Sequence, residues 1–317
     1  MTATGAERYL QPRGSTVRYA IVGGTGMIGT RLAAVLRGRG DRVWILTRKS
    51  PRGADELQWD PNRGIPQVAT LEGLDAVFNL VGESLAERPW TRGRRRLLLD
   101  SRIGATATLI DALAELDKPP AAFIGVSSLG IFGDRGDDVI DDDDPPGTGF
   151  LAELCVAWEQ AHLAAEHMGS RTALLRMSVV LSPTGGAFPL MVRPFRYLGG
   201  WLGNGRQYAP WISIRDCVGA LIHLADNPAC SGVFNGSIPK PTRNKKWLQA
   251  LGRVMRVPVV THAPKWALRG ALGELADALF LASIRAVPRK LTECDYPFVD
   301  TDAEETFRWL LEAHDAG

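Results

Sequence analysis

The sequence predicts an α/β fold: a doubly wound parallel sheet covered by helices, followed by a smaller C-terminal region lying over the strand ends. Three observations predict it. Short apolar runs alternate with stretches of helical apolar spacing from residue 17 to residue 181. Strands that alternate with helices imply right-handed crossovers and a parallel sheet buried on both faces. A glycine-rich turn joins the first strand to the first helix, and after Ser182 the pattern loosens into Gly/Pro-rich loops and short elements. Ligands of such sheets bind outside the carboxyl ends of the strands, so the C-terminal part is expected to complete a pocket there.

Each element has its own signal. Val17–Val22 is an apolar run and reads as the first strand. Thr30 to Arg37 carries Leu32, Ala33, Leu36 at helical spacing. Arg42–Thr47 and Asp75–Val81 read as buried strands. From about Arg94 to Leu116 a long helix is expected, with Leu97, Leu98, Ile103, Leu109, Ile110 and Leu113 on its apolar face, ended by Pro119-Pro120. Ala122–Val126 is the next strand, 151–168 a helix, and 173–181 a strand. The expected organisation is an extension over 1–16, a dinucleotide-binding unit over 17–181, and a mixed region over 182–317 with some segments returning to the first sheet.

The chain-wide numbers exclude several function classes. With 317 residues and 45% hydrophobic content there is material for a full core. A net charge of +2 makes no case for nucleic acid or a membrane surface as partner. No apolar run approaches the roughly 18 residues of a membrane span. The first sixteen residues lack the apolar segment of a signal peptide and read as a loose extension. Cys155, Cys217, Cys230 and Cys294 have no CxxC spacing, so neither a zinc site nor a disulfide framework is expected, and a cytoplasmic location fits reduced thiols.

The turn Val22-Gly23-Gly24-Thr25-Gly26-Met27-Ile28-Gly29 carries the strongest functional signal. Gly23 permits the tight turn, Gly26 lets backbone approach a pyrophosphate, and Gly29 lets the helix pack close to the strand. The N–H groups at the helix start and the positive end of its dipole attract phosphate. This is a Rossmann-type signature. An acidic residue at the end of the second strand would mark NAD; here Thr47-Arg48-Lys49 stands instead. Two cations there suit a 2′-phosphate, so NADP(H) is the expected cofactor. Asp60 is a weaker candidate for the adenosine side.

Other polar features have plainer readings. Asp137 to Asp144 lacks the spacing of a calcium loop and reads as a solvated acidic loop. Arg88, Arg92, Arg94, Arg95 and Arg96 read as a solvated face, with recognition of an acidic substrate as the alternative. His162 and His167 read as surface or packing residues, and no metal site is expected. Arg176, at the end of a buried strand, needs a partner: either a core ion pair or a polar ligand. Trp201, Trp211, Trp247 and Trp266 read chiefly as core of the C-terminal part.

With the glycine turn, Asn79-Leu80-Val81-Gly82-Glu83-Ser84, Asp100-Ser101-Arg102, Phe150 to Cys155 with Trp158-Glu159, Gly203 to Gln207, Trp211 to Asp216 and Val287 to Leu291, the chain resembles the extended short-chain dehydrogenase/reductases. It is most similar to the atypical epimerase family that ends in a domain of unknown function. The family's Thr before the first glycine is Val22 here. The resemblance implies an NADP-type cofactor across the strand ends, near Gly23, Thr25, Gly26, Met27, Ile28, Gly29, Arg48, Lys49, Asn79, Leu80, Val81, Gly82 and Ser127. In ordinary relatives a Ser, a Tyr and a Lys cooperate. Ser128 matches the Ser; with Glu159 as anchor, the Tyr and Lys positions fall on Leu151 and Cys155, neither of which can substitute. The remaining acid/base candidates are Ser128, Glu83 and Tyr208. The expected protein is an NADP-dependent oxidoreductase or epimerase-like enzyme acting on a small molecule, with a homodimer as a possible assembly; the alternative is a catalytically silent NADP(H)-binding redox sensor or interaction protein.

Overall fold

The computed structural model describes residues 15–315. The expectation for residues 1–16 lies almost wholly outside that range.

The chain runs β1 (Arg18–Val22), α1 (Met27–Gly38), β2 (Arg42–Thr47), β3 (Glu56–Gln58), β4 (Ala76–Asn79), α2 (Arg92–Leu99), a π-helical turn (Asp100–Gly104), α3 (Ala105–Ala114) and β5 (Ala122–Ser128). Next come β6 (Val139–Ile140), α4 (Phe150–Leu163), β7 (Arg171–Met177), β8 (Val179–Ser182), β9 (Gly185–Gly186) and α5 (Ala187–Phe195). The C-terminal part holds β10 (Gly199–Leu202), β11 (Trp211–Ser213), α6 (Ile214–Asp226), β12 (Gly232–Gly236), α7 (Asn244–Met255) and β13 (Val259–Ala263). It ends with α8 (Lys265–Leu272), β14 (Arg285–Ala286), α9 (Arg289–Glu293) and α10 (Ala303–Asp315).

Seven parallel strands form the main sheet in the order β12-β7-β5-β4-β1-β2-β3. The order reverses direction beside β1, which places the switch point between β1 and β4. Alternate strand residues fill opposite faces, as a pleated strand requires. Tyr19 and Ile21 join Leu32 and Leu36 of α1 and Leu221 of α6 on one side. Ala20 and Val22 join Leu109 and Leu113 of α3 and Phe123 on the other. Both faces are therefore dry, and truncating a fully buried residue such as Leu36 or Leu113 to Ala costs about 2–5 kcal/mol.

Two elements differ from the sequence expectation. The run 173–181 is two strands: β7 stays in the main sheet, whereas β8 pairs with β11 in a small separate sheet. Ser178 makes the switch; its N–H and its hydroxyl both bond Gly236 O, at 3.1 and 2.7 Å. Val179, Val180 and Leu181 resume the apolar pattern after Ser178, so only the change of pairing partner reveals the break. The long helix from residue 94 is likewise divided by the π turn, which inserts a residue into the helical register.

The C-terminal part is tied down by buried polar groups. Ser213 caps α6, accepting from Asp216 N at 3.0 Å. Asp216 is fully buried and accepts from Val299 N, Asp300 N and the Tyr296 hydroxyl at 2.9, 2.8 and 3.0 Å. The acidic run is not a solvated loop throughout. Asp142 is buried and accepts from the backbone N–H groups of Asn235 and Lys290, while Asp143 pairs with Lys290. Backbone amides that would otherwise lack an acceptor draw the Asp142 carboxylate inward, while Asp143 stays exposed beside its cation. No helix among the described residues is long and apolar enough to cross a membrane.

Candidate functional site

The glycine turn lies at the carboxyl end of β1, beside the switch point. Gly23 has φ +83°, and a Cβ there would lie 2.9 Å from Leu80 O. A Cβ on Gly29 would lie 2.4 Å from Gly23 O, so the helix can approach the strand only without a side chain. Leu80 N donates to Val22 O at 2.9 Å. The structure thus brings Gly23, Gly29 and Leu80 together.

The start of α1 has no side-chain cap and no acidic residue in its first turn. Its first N–H groups have no intrahelical acceptor by position, so the terminus is an open, positively polarised anion site. Gly26 N is an exception: it donates to Gly23 O at 3.0 Å, so free donors lie beyond it toward Met27 and Ile28. Thr25 and Gly26 are exposed, and Met27 and Ile28 half-buried. The Met27 sulfur sits 3.1 Å from where a Cβ of Gly186 would be, so the β8–β9 hairpin closes over the turn.

Arg48 and Lys49 stand exposed directly after β2 and form no ion pair among the described residues. Lys49 N bonds Thr47 Oγ1 at 3.1 Å, which fixes the corner they share. Asp60 does not reach across; it is used locally, accepting from Asn62 N at 2.8 Å.

Asn79, at the end of β4, is fully buried and its side chain faces inward. Its Nδ2 donates to Thr106 Oγ1 at 2.9 Å and to His162 Nε2 at 3.2 Å. His162 Nδ1 lies 2.8 Å from Trp158 O, a pure acceptor, so Nδ1 carries the proton and Nε2 accepts. Burial pushes the His162 pKa down to about 4. Asn79 therefore braces the strand end from beneath. His162 is a packing residue, as its sequence context suggests.

Ser127 and Ser128 end β5, Ser127 buried and Ser128 half-buried. Ser128 Oγ accepts from Gly130 N at 3.1 Å, leaving its own proton to donate. On α4, Leu151 and Cys155 are buried against this strand end. Burial, with the nearby Glu159 charge, pushes the Cys155 thiol up to about 12, so it is protonated at neutral pH. Arg176 is paired in the core: its Nε and Nη2 bond the two carboxylate oxygens of Glu159 at 2.8 and 2.9 Å.

Glu83 lies in the loop after β4. Its backbone N bonds Ser101 Oγ at 3.2 Å and its carboxylate meets Arg94 Nη1 at 3.4 Å. The arginine cluster is therefore not simply a solvated face, because Arg94 and Arg95 are half-buried and paired, Arg95 with Glu274. The guanidinium groups of Arg243 and Arg285 lie 4.5 and 5.1 Å from the centroid of the Tyr208 ring. No hydrogen bond joins Ser128, Glu83 and Tyr208 to one another among the described residues. Of the four C-terminal tryptophans, Trp211 and Trp247 are core, Trp201 is half-buried, and Trp266 is 78% exposed.

Sequence reasoning did not single out Arg102 as a site residue. It is buried in the π turn between α2 and α3. Its Nη2 donates to Glu83 O at 2.8 Å and its Nη1 to Leu98 O at 3.3 Å. Its guanidinium lies 4.8 Å from the Trp158 ring centroid. The available signal was spacing: Arg102 follows buried Leu98 by four residues and so shares its inward face.

Residues 19–235 match the family model described as the NAD dependent epimerase/dehydratase family. Residues 263–310 match a domain of unknown function, DUF1731. An epimerase family protein of Mycobacterium leprae is 40% identical over 280 residues, covering 88% of this chain and 91% of that one. The crystal structure of human epimerase family protein SDR39U1 (isoform 2) with NADPH is 28% identical, with a TM-score of 0.85 over 93% of this chain and 99% of that one. A nucleoside-diphosphate sugar epimerase from Corynebacterium glutamicum is 30% identical, with a TM-score of 0.76 over 99% of this chain and 61% of that one. A Rossmann-type sheet with its glycine turn at the switch point, matched along most of its length by these relatives, makes this chain a member of the NAD-dependent epimerase/dehydratase family, in the atypical short-chain dehydrogenase/reductase branch that carries the DUF1731 domain.

Proposed function

We propose that the chain is an NADP(H)-dependent oxidoreductase or epimerase-like enzyme that acts on a small substrate without a Tyr-x-x-x-Lys pair. One observation carries the cofactor assignment: the uncapped start of α1, reached through a turn that excludes side chains, stands next to the unpaired cations Arg48 and Lys49. The residues fit the group. Main-chain N–H groups at Thr25, Met27 and Ile28 would hold the diphosphate, and Gly26 keeps a side chain out of its way. Arg48 and Lys49 would hold a 2′-phosphate, Arg48 by a bidentate contact. Leu80, Val81, Gly82 and Ser127 would border the other half across the ends of β4 and β5, with Asn79 fixing the strand end beneath them.

When bound, the dinucleotide supplies a hydride donor or acceptor at the nicotinamide. The protein's own part is to orient substrate and handle a proton. Ser128 holds a hydroxyl whose proton is free to bond a substrate oxygen. Glu83 offers a carboxylate kept in place by Arg94. Tyr208, beside two guanidinium groups, would line the C-terminal side.

A second reading, a silent NADP(H)-binding sensor or interaction protein, is favoured by α4. Leu151 carries no proton and Cys155 is a buried, protonated thiol, so the two positions aligned with Tyr and Lys supply neither acid nor charge. Both readings share the cofactor. Titration of the purified protein with NADPH and NADH tests it: NADPH binds more tightly, and Arg48→Ala removes most of the difference, by about 1–3 kcal/mol for a lost charged contact. Equal affinities in the unmutated protein would refute the 2′-phosphate assignment.

A further inference from the structure

Arg102 is 5% exposed, yet no carboxylate pairs with it among the described residues. Glu159 is committed to Arg176 at 2.8 Å, and the Glu83 carboxylate, paired with Arg94 at 3.4 Å, attracts Arg102 without contact while Arg94 repels it. Its compensation consists of the Glu83 and Leu98 carbonyls, the Ser101 hydroxyl at 3.5 Å and the face of Trp158. Its Nε–H is buried and has no hydrogen-bond partner among the described residues. The neighbouring Cys155 thiol stays protonated and cancels nothing, and Arg102 itself, brought down to about 10 by burial, remains charged at neutral pH. A buried, unpaired cation is costly and is rarely retained without a use.

Its place in the fold suggests the use. Arg48 and Lys49 follow β2, on one side of β1. A dinucleotide with its adenosine phosphate at that corner would extend its nicotinamide half the other way, across the ends of β4 and β5. Arg102 packs against Gly82, in the loop after β4, and against Trp158 on the helix that follows β5. The π turn that presents it is an irregularity of the kind often found at functional sites.

We propose that the buried charge of Arg102, in contact with no carboxylate, makes this site select the reduced nicotinamide dinucleotide over the oxidised one. The inference rests on the cofactor reading above. The two forms differ at the ring: the oxidised pyridinium carries a positive charge and the reduced dihydropyridine carries none. A fixed cation nearby therefore penalises only the oxidised form. A preference on the order of tenfold corresponds to about 1.4 kcal/mol, within the range of a charge–charge interaction at an effective dielectric near 20.

The test is calorimetric titration of the full chain with NADPH and with NADP+, repeated on Arg102→Met and Arg102→Lys. The unmutated protein is expected to bind NADPH on the order of tenfold more tightly. Arg102→Met brings the ratio close to one, and Arg102→Lys, which keeps the charge, preserves it even where both affinities fall. A residue that merely props the loop would lower both affinities alike. A ratio near one in the unmutated protein, which needs no variant to fold, overturns the inference, as does an unchanged ratio in Arg102→Met. Failure of the unmutated protein to bind either form would instead overturn the cofactor reading on which the inference stands.

Discussion

Single residues set the chemistry of this site through what surrounds them. His162 is neutral because it is dry and because Trp158 O fixes its proton on Nδ1. The sign of its pH effect follows. An unfolded His titrates near 6.5, the native one near 4, so below about pH 6.5 the unfolded chain binds a proton that the native chain refuses. Stability falls as pH drops through that window, by at most about 1.4 kcal/mol per pH unit, and levels off below the native pKa. Urea unfolding at pH 7.5 and pH 4.5 should show a smaller acid loss for His162→Gln, which still accepts from Asn79; parallel losses would remove His162 from the account. Ser128 is tested at the same scale. If the protein turns over a substrate, Ser128→Ala should lower the rate by about 10²–10⁴-fold, the usual value of proton-transfer help, with NADPH affinity retained. Unchanged turnover would exclude it. Ser128 was legible in the sequence because strand and motif coincide there. Arg102 was passed over because a charged residue in a helical stretch looks solvated until the inward face is known.

At the level of elements, the β1–α1 turn shows why glycine spacing was readable and its details were not. The need for glycine at 23 and 29 is a matter of backbone packing, which the strand–turn–helix context predicts. That Gly26 N is spent on Gly23 O, shifting the free donors toward Met27 and Ile28, depends on the turn's actual path. Gly26→Val should abolish dinucleotide binding in a fluorescence titration while the protein still folds, since a Cβ at that position meets only Gly23 O, at 3.3 Å. Retained affinity would mean the turn does not hold the phosphates. Strand boundaries were less legible for a related reason. The run 173–181 is apolar on both sides of Ser178, where it changes sheets, and periodicity registers burial and not pairing partner. The acidic run misled in the opposite direction at one residue: charge counted along the sequence suggested solvent, while two backbone amides draw Asp142 inward and Asp143 stays exposed beside Lys290.

Over the whole molecule, the sheet places its switch point where the charges need it. Arg48 and Lys49 lie on the β2 side of the glycine turn; Ser127, Ser128, Glu83 and Arg102 lie on the β4–β5 side. The C-terminal part is anchored by Asp216, which accepts from Val299 and Asp300, and by Asp142, which accepts from Lys290. This division was legible from alternating strands and helices, because a parallel order allows few topologies. The strand that returns to the main sheet after residue 182, β12, was expected only in outline, because Gly232–Gly236 is too short and glycine-rich to be assigned a partner from pattern. The most direct test of the central claim is a crystal structure of the protein grown with NADPH. The account predicts the diphosphate on the main-chain N–H groups between Thr25 and Ile28, with the 2′-phosphate at Arg48. Density for the nucleotide anywhere else, or none at the turn under saturating NADPH, would contradict it.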